Sequence, residues 1–315
     1  MTEKLTNITT ITEFLLMGFT DDQVLQGFYV PFFSLSYLTA LMGNLLIVIL
    51  TTTDRRLQSP MYFFLKNLSL IDICYISVTV PKSIINSLTK SHSISFLGCA
   101  SQIFLFIFLA GTEYALLIVM SYDRYVAICH PLYYETIMNT GTCLQMVTAS
   151  WASGCVYGTI HVAGTFSVRF CGPYIVHQFF CDIPSVLTLA CSGEQILEYA
   201  FIVTSCTFAF VCFLFLIASY IYIFSAVLRI SSAQGRFKTF STCVPHLTVV
   251  LLFVFSGVAN YLGTNYNSAS SLNLFISALY SVLPPSLNPF IYSLRNKDMK
   301  AALGKILGGK MLSRT

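Results

Sequence analysis

Asp123 and Arg124 stand side by side, followed by Tyr125, where an apolar run of about 97–122 gives way to a polar connection. A carboxylate and a guanidinium at the rim of a hydrocarbon layer are costly unless something uses them, so the pair reads as functional. Two further acids, Asp72 and Glu113, fall in the middle of apolar runs. A helix rises about 1.5 Å per residue, which sets their depth. Glu113 is 11 residues before Arg124, roughly 16 Å along its helix. Asp72 is 12 residues after Pro60, roughly 18 Å from the same face. The two acids are therefore predicted to meet at one level, with Asn44 at similar depth and Asn288 somewhat lower. Two carboxylates in a low dielectric cannot both stay ionised unpaired, so the cluster predicts a held proton, a bound cation or a hydrogen-bonded polar knot. Asn288-Pro289-Phe290-Ile291-Tyr292 adds a proline that removes one helical hydrogen bond and kinks its helix.

The elements that must position these groups cross a membrane. Hydrophobic residues make up 56% of the 315-residue chain and charged residues 10%, against about 25% charged in average globular proteins. So little charge cannot cover a soluble surface. Seven apolar runs reach the length of about 20 residues needed to cross the hydrocarbon. They lie at 28–52, 60–81, 97–122, 143–166, 197–228, 240–263 and 272–293. The fold predicted is an all-α membrane protein with a seven-helix bundle at 28–293, preceded by a tail at 1–27 and followed by a cytoplasmic segment at 294–315.

Basic residues set the expected orientation. Lys4, Lys82, Lys90 and Arg169 lie on one side, and the other 13 of the 17 Lys and Arg lie on the side of Arg124. The positive-inside rule makes the Arg124 side cytoplasmic and the N-terminus external. The net charge of +4 reflects that bias and implies no nucleic-acid partner. The first 25 residues carry no apolar core, so no cleavable signal peptide is expected. Asn7-Ile8-Thr9 is a glycosylation sequon on the outer tail, whereas Asn67-Leu68-Ser69 lies inside the second helix and is discounted. Of eleven cysteines, Cys99, Cys171, Cys181 and Cys191 fall on the outer, oxidising side, and their three possible pairings stay open on spacing alone. The region 295–308 reads as an amphipathic helix on the inner leaflet. With no cysteine after Cys243, palmitoylation of this tail is not expected.

Motifs along nearly the whole chain resemble vertebrate odorant receptors of the rhodopsin-like superfamily. They include Gly43-Asn44, the segment Pro60 to Leu65, and Leu68 to Asp72. Met120 to Cys129, His177 to Asp182, Ala190 to Ser192, Lys238 to Cys243 with His246-Leu247, and Pro285 to Asn296 follow in order. The outer-loop form is similar to the tetrapod-type class. The resemblance implies disulfides Cys99–Cys181 and Cys171–Cys191, and a sodium ion among Asp72, Glu113, Asn44 and Asn288 as the only cofactor. It implies a G-protein switch of Asp123, Arg124, Tyr125, Tyr220, His246, Asn288, Pro289 and Tyr292, in which the arginine swings towards the tyrosines. Departures from the pattern are Gln58, Thr239, Pro245, and Phe253-Val254-Phe255 in place of a Tyr-centred motif, which removes the usual ligand trigger there.

Helix three presents a face at Ile103, Phe106, Ile107, Ala110, Gly111 and Tyr114. In the family's geometry this face lines an outer cavity, with Ala110 and Gly111 leaving volume between the walls of Phe106 and Tyr114. Opposite, the resemblance places Phe201, Thr204, Ser205 and Phe208, then Val254, Gly257, Val258 and Tyr261, and finally Ala278 and Ser281. Phe106 stands where amine receptors carry an aspartate. The ligand implied is small, neutral and mostly apolar, oriented by Thr204, Ser205, Tyr261 or Ser281, with micromolar or weaker affinity, about −8 kcal/mol.

The function so implied is an odorant receptor in the plasma membrane, of olfactory cilia by resemblance, activating a stimulatory G protein and raising cAMP. A receptor for a non-odorant neutral ligand in another tissue is the alternative. A retinal protein would need a lysine between Leu272 and Ser293, and none occurs. A transporter would show repeats, which are not found. No nucleophile–base set or metal-ligand cluster suggests an enzyme, and His161 and His177 read as structural.

Overall fold

The computed structural model describes residues 12–17, 23–89, 91–171, 173–229, 231–263, 271–295 and 298–304. Asn7, Lys297 and the tail from 305 lie outside the described residues, as does the Tyr261 side chain. Seven long helices form the body: α1 (Gln23–Thr53), α2 (Pro60–Thr89), α3 (Phe96–Cys129), α5 (Thr140–Phe166), α7 (Ile196–Leu228), α8 (Ala233–Gly263) and α9 (Ser271–Arg295). Short helices α4 (Tyr134–Ile137) and α6 (Ile183–Leu187) sit in the connections. Among the described residues six helices are long and apolar enough to cross a membrane. The helix missing from that six is α5, which spends its length on Gly, Ser and Thr. Those small residues serve packing.

Helix ends follow local chemistry. Pro60 opens α2, where a missing N–H costs nothing. The Ser95 hydroxyl accepts from the Gly98 N–H at 3.1 Å to start α3, and the Asn139 carbonyl oxygen accepts from the Thr142 N–H at 2.9 Å to start α5. Predicted boundaries move at α2, α3 and α8, the last of which begins at Ala233 rather than near 240. Helix α3 runs through the Asp-Arg-Tyr motif to Cys129 rather than stopping near 122, and α2 continues past Pro81 to Thr89. Apolar length marks only the part that crosses lipid, whereas backbone hydrogen bonding continues beyond it.

Helix α3 is central, packing against α2, α5, α7 and α8, while α9 closes the bundle against α1, α2 and α8. The α3–α5 contact is built on Gly154 and Gly158. A Cβ at Gly154 would lie 2.6 Å from the Phe108 carbonyl oxygen, and one at Gly158 would lie 3.1 Å from that of Phe104. This Gly-x-x-x-Gly spacing lets two backbones approach where lipid supplies no hydrophobic drive.

At one end of the bundle lies a three-stranded sheet. The strand β1 (Glu13–Leu16) pairs antiparallel with β2 (Ser93–Ser95) and parallel with β3 (Ile175–Val176). Phe14 is fully buried there, stacked on Phe96 and edge-on to Phe170 and Tyr174. The all-α expectation holds for the spans and omits this sheet. Disulfides Cys99–Cys181 and Cys171–Cys191 are both formed at the same end. The first ties the connection after α5 to the top of α3, and the second closes a loop within that connection.

Candidate functional site

At the opposite end, Asp123 and Arg124 are neighbours on α3 and form an ion pair with each other. Asp123 also accepts from the Tyr134 hydroxyl of α4 at 2.7 Å, a partner that sequence reading missed. The switch residues do not converge on Arg124. Tyr220 of α7 donates to His246 Nδ1 of α8 at 2.5 Å, and His246 Nε2 donates to the Leu117 carbonyl oxygen of α3 at 3.0 Å. With one ring nitrogen accepting and the other donating, His246 is a neutral imidazole whose tautomer its partners fix. One buried side chain thus clasps three helices. Tyr125 lies apart from this clasp, its hydroxyl 3.3 Å from His130 Nε2, and the buried Tyr292 hydroxyl has no hydrogen-bond partner.

The two mid-membrane acids meet as their depths predicted. The Asn288 Nδ2 amide lies 3.2 and 3.0 Å from the Asp72 oxygens and 3.5 Å from Glu113 Oε1. Asn288 is therefore level with both acids rather than lower, and all three are buried. Asn44 does something else. Its amide donates to the Pro285 carbonyl oxygen at 2.9 Å. Pro289 has no N–H, so that carbonyl, four residues earlier, loses its helical donor, and Asn44 replaces it. Gly43 lets α9 come close enough, since a Cβ there would meet the Pro289 ring at 2.9 Å. Three buried oxygens here have no hydrogen-bond partner: Glu113 Oε2, Asn288 Oδ1 and Asn44 Oδ1. Hard oxygen donors of that kind suit an alkali cation. No cluster of three or more His, Cys, Asp or Glu is found among the described residues.

Nearer the disulfides, Phe106 is buried in an aromatic nest, with ring centroids 4.8 Å from Tyr75, 5.2 Å from Phe180 and 5.6 Å from Tyr280. Ile107 is buried beside it, and Ala110 and Tyr114 are half-buried. The Tyr114 hydroxyl donates to the Ala209 carbonyl oxygen of α7 at 2.6 Å, and its ring stacks on Phe253. The volume expected beside Gly111 is occupied, because a Cβ there would lie 3.1 Å from Cδ1 of Tyr157. Gly111 faces α5, which makes it a packing glycine.

Helix α7 is rotated relative to the expected pocket face. Its buried residues are Glu198, Leu216, Tyr220, Ile223 and Val227, one stripe within about 40° of Glu198 at 100° per residue. Ser205 falls on that stripe, whereas Phe201, Thr204 and Phe208 lie about 60–120° round the helix and are exposed. Thr204 also commits its hydroxyl to the Ala200 carbonyl oxygen. On α8, Val254 and Gly257 are half-buried and Val258 is exposed. On α9, Ala278 and Ser281 are buried, and Ser281 donates to the Ala278 carbonyl oxygen.

A further buried acid escaped the sequence reading. Glu198 is 1% exposed and its Oε1 lies 2.8 Å from His161 Nδ1. It stands in the first turn of α7, where the sequence carries no sign of burial. A second polar chain joins Gln178, Ser277 and Asn260 in steps of 2.8 Å, linking the connection after α5 to α9 and α8. His177 Nδ1 meets Met17 Sδ, so His161 and His177 each have a partner of their own.

Seven long helices with α3 at their centre, a disulfide from its top, and an Asp-Arg pair at its foot define a rhodopsin-like seven-helix receptor. The family model described as olfactory receptor matches residues 33–310. Human olfactory receptor 14L1 is 54% identical over 96% of this chain and 93% of its own. Human olfactory receptors 14A16 and 14J1 are 51% and 52% identical, each over 97% of this chain and over 98% and 95% of their own lengths. The chain belongs to the olfactory receptor family. It is a multi-pass membrane signalling receptor and not an enzyme.

Proposed function

We propose that this receptor binds a small, neutral, mostly apolar odorant among α3, α7, α8 and α9, in the half of the bundle nearer the disulfides. The observation that carries this reading is the aromatic and apolar surround of Phe106, whose ring contacts are to Tyr75, Phe180 and Tyr280, with Ile107 buried beside it. The N-terminus faces outwards, carrying a glycan on Asn7, and the Arg124 end faces the cytosol of the plasma membrane, in olfactory cilia. Odorant binding favours the state in which the His246 clasp has opened, by differential affinity between the two states. Arg124 then leaves Asp123 and, with Tyr220 and Tyr292, forms the floor of a cleft for a stimulatory G protein that raises cAMP. The unpaired Tyr292 hydroxyl supports this reading, since it has a donor to offer in a second arrangement.

A sodium ion fits the oxygens of Asp72, Glu113, Asn288 and Asn44. It supplies positive charge that lets both carboxylates stay ionised, and it favours the resting state. The test is a cAMP screen of neutral volatiles against surface-displayed receptor, paired with Arg124→Ala and Phe106→Asp. Neutral odorants are expected to activate the wild type, and both variants to lose the response. Activation mainly by charged amines, or hits that survive both changes, would overturn the proposal.

A further inference from the structure

The cluster formed by Glu198, His161 and Ser205 has a hydrogen-bond polarity that its charge state dictates. Glu198 Oε1 meets His161 Nδ1 at 2.8 Å, and His161 Nε2 meets Ser205 Oγ at 3.1 Å. Glu198 and His161 are 1% and 2% exposed. Among the described residues no lysine or arginine pairs with Glu198, and its second oxygen, Oε2, is buried against Gly164 without a hydrogen-bond partner. A net negative charge held there has nothing to offset it, and burying an uncompensated charge is far costlier than burying a neutral pair. The pair as a whole is therefore neutral.

Two proton arrangements give neutrality without burying an unmet hydrogen on Oε2, which has no partner: a carboxylate with an imidazolium, or a carboxylic acid donating from Oε1 to Nδ1 of a neutral ring. In the first both ring nitrogens carry hydrogen. In the second the one ring hydrogen must sit on Nε2. Either way Nε2–H donates to Ser205 Oγ, and the serine hydrogen cannot point back at the histidine.

That hydrogen has few places to go. Neighbouring Thr204 and Thr207 donate to the carbonyl oxygens of Ala200 and Val203, but among the described residues Ser205 makes no such bond. The Tyr157 hydroxyl lies within hydrogen-bonding reach of Ser205. Whichever of these two hydroxyls donates to the other, one O–H is left over to leave the cluster. Ser205 sits one turn from Ala209, whose carbonyl takes the Tyr114 hydroxyl of α3, and the Tyr157 ring packs on Gly111 of α3.

We infer that this relay presents a fixed hydrogen-bond donor to the odorant, so that the receptor selects neutral ligands bearing an acceptor without a donor: ketones, aldehydes, esters and ethers over the matching alcohols. The inference rests on the odorant-pocket reading above. His161 and Glu198 are positioning residues, and the Ser205–Tyr157 hydroxyl pair makes the contact. An alcohol accepts the same hydrogen bond but leaves its own O–H without a partner, and an unmet buried donor is penalised.

The test compares ketones, ethers and alcohols matched in carbon skeleton over a graded set of chain lengths, on wild type, Ser205→Ala, His161→Phe and His161→Gln, with surface display measured for each. Wild type is expected to respond to ketones and ethers at concentrations about tenfold below those for the alcohols (about 1.4 kcal/mol). Ser205→Ala and His161→Phe should flatten that ratio to within about threefold (about 0.65 kcal/mol). His161→Gln, which keeps an N–H to donate, should restore the preference. An alcohol preference in wild type, or a ratio unchanged in displayed Ser205→Ala, overturns the relay while leaving the pocket standing. Silence of displayed wild type towards every member overturns the relay and the pocket together.

Discussion

Replacing His246 by Phe is the most direct test of how the bundle is held in its resting arrangement. His246 is 2% exposed and joins α8 to α7 through the Tyr220 hydroxyl at 2.5 Å and to α3 through the Leu117 carbonyl at 3.0 Å. Phenylalanine keeps the stacked ring, whose centroid lies 5.9 Å from that of Tyr220, and deletes both hydrogen bonds. The Leu117 carbonyl lies within α3, but the Tyr220 hydroxyl is left buried without an acceptor. An orphaned buried group costs about 1–3 kcal/mol. If the clasp exists only at rest, the whole cost falls on the resting state, and a coupling of that size is about 5- to 150-fold. A receptor about 1% active without ligand would become about 10% active for the first 1.4 kcal/mol. The assay is ligand-free cAMP normalised to receptor at the cell surface. Tyr220→Phe breaks the same bond from the other side but removes the hydroxyl assigned to the active state. It should raise basal signalling less and lower the maximal response. Basal cAMP at or below wild type in well-displayed His246→Phe, with the odorant response intact, would refute the clasp.

Three further outcomes are expected. Gly154→Leu should abolish surface display, since even its Cβ would lie 2.6 Å from the Phe108 carbonyl oxygen and on Thr112; Gly154→Ala, measured alongside, should give a weaker loss of the same kind. Raising sodium should suppress basal cAMP in wild type and do so less in Asp72→Asn, and identical salt responses would dismiss the ion. Asp182 caps α6 in the connection after α5, its Oδ1 accepting from the Ser185 N–H while burial pushes its carboxyl up to about 6. A raised acid favours folding most below its ordinary value near 4 and loses that advantage as pH rises through about 6, an effect of about 3 kcal/mol. Purified receptor should therefore melt higher at pH 5 than at pH 7.5, and Asp182→Asn should flatten that difference in a thermal-shift measurement.

What could be read in the sequence is what a helix transmits by its fixed rise. Counting from Arg124 and Pro60 put Glu113 and Asp72 at one level, and they share the Asn288 amide. Disulfide pairing came from resemblance, and both bridges are formed. Rotation about a helix axis was harder to read. In α7 the few polar residues fall on several sides and mark no single face, so the pocket expectation takes in Phe201, Thr204 and Phe208 although the buried stripe lies elsewhere. Gly111 was read as empty space because a missing side chain does not say which neighbour fills it, and here Tyr157 does. The strand Glu13–Leu16 is too short to show an alternation, and its order depends on partners at Ser93–Ser95 and Ile175–Val176 that sequence cannot bring together.

The rotation of α7 ties the two ends of the receptor together. Its buried stripe meets His161 of α5 through Glu198 near the disulfides and His246 of α8 through Tyr220 near Arg124. The stretch between carries no other buried residue before Leu216. Glu198 and Tyr220 are 22 residues apart, roughly 33 Å of helix. Ser205 and Tyr220 are separated by 15 residues, which brings them within about 60° of the same side. A rod held by a histidine at each end, with the Tyr114 hydrogen bond to the Ala209 carbonyl between them, has few buried side chains to repack when it tilts. An odorant that draws the Ser205 hydroxyl away from its relay pulls on the face that carries Tyr220, so loss of one tether changes the strain on the other. Coupling of this kind predicts non-additivity: His161→Phe and His246→Phe together should shift basal signalling by an amount different from the sum of their separate shifts in free energy. Simple additivity would mean that the two ends of α7 act independently.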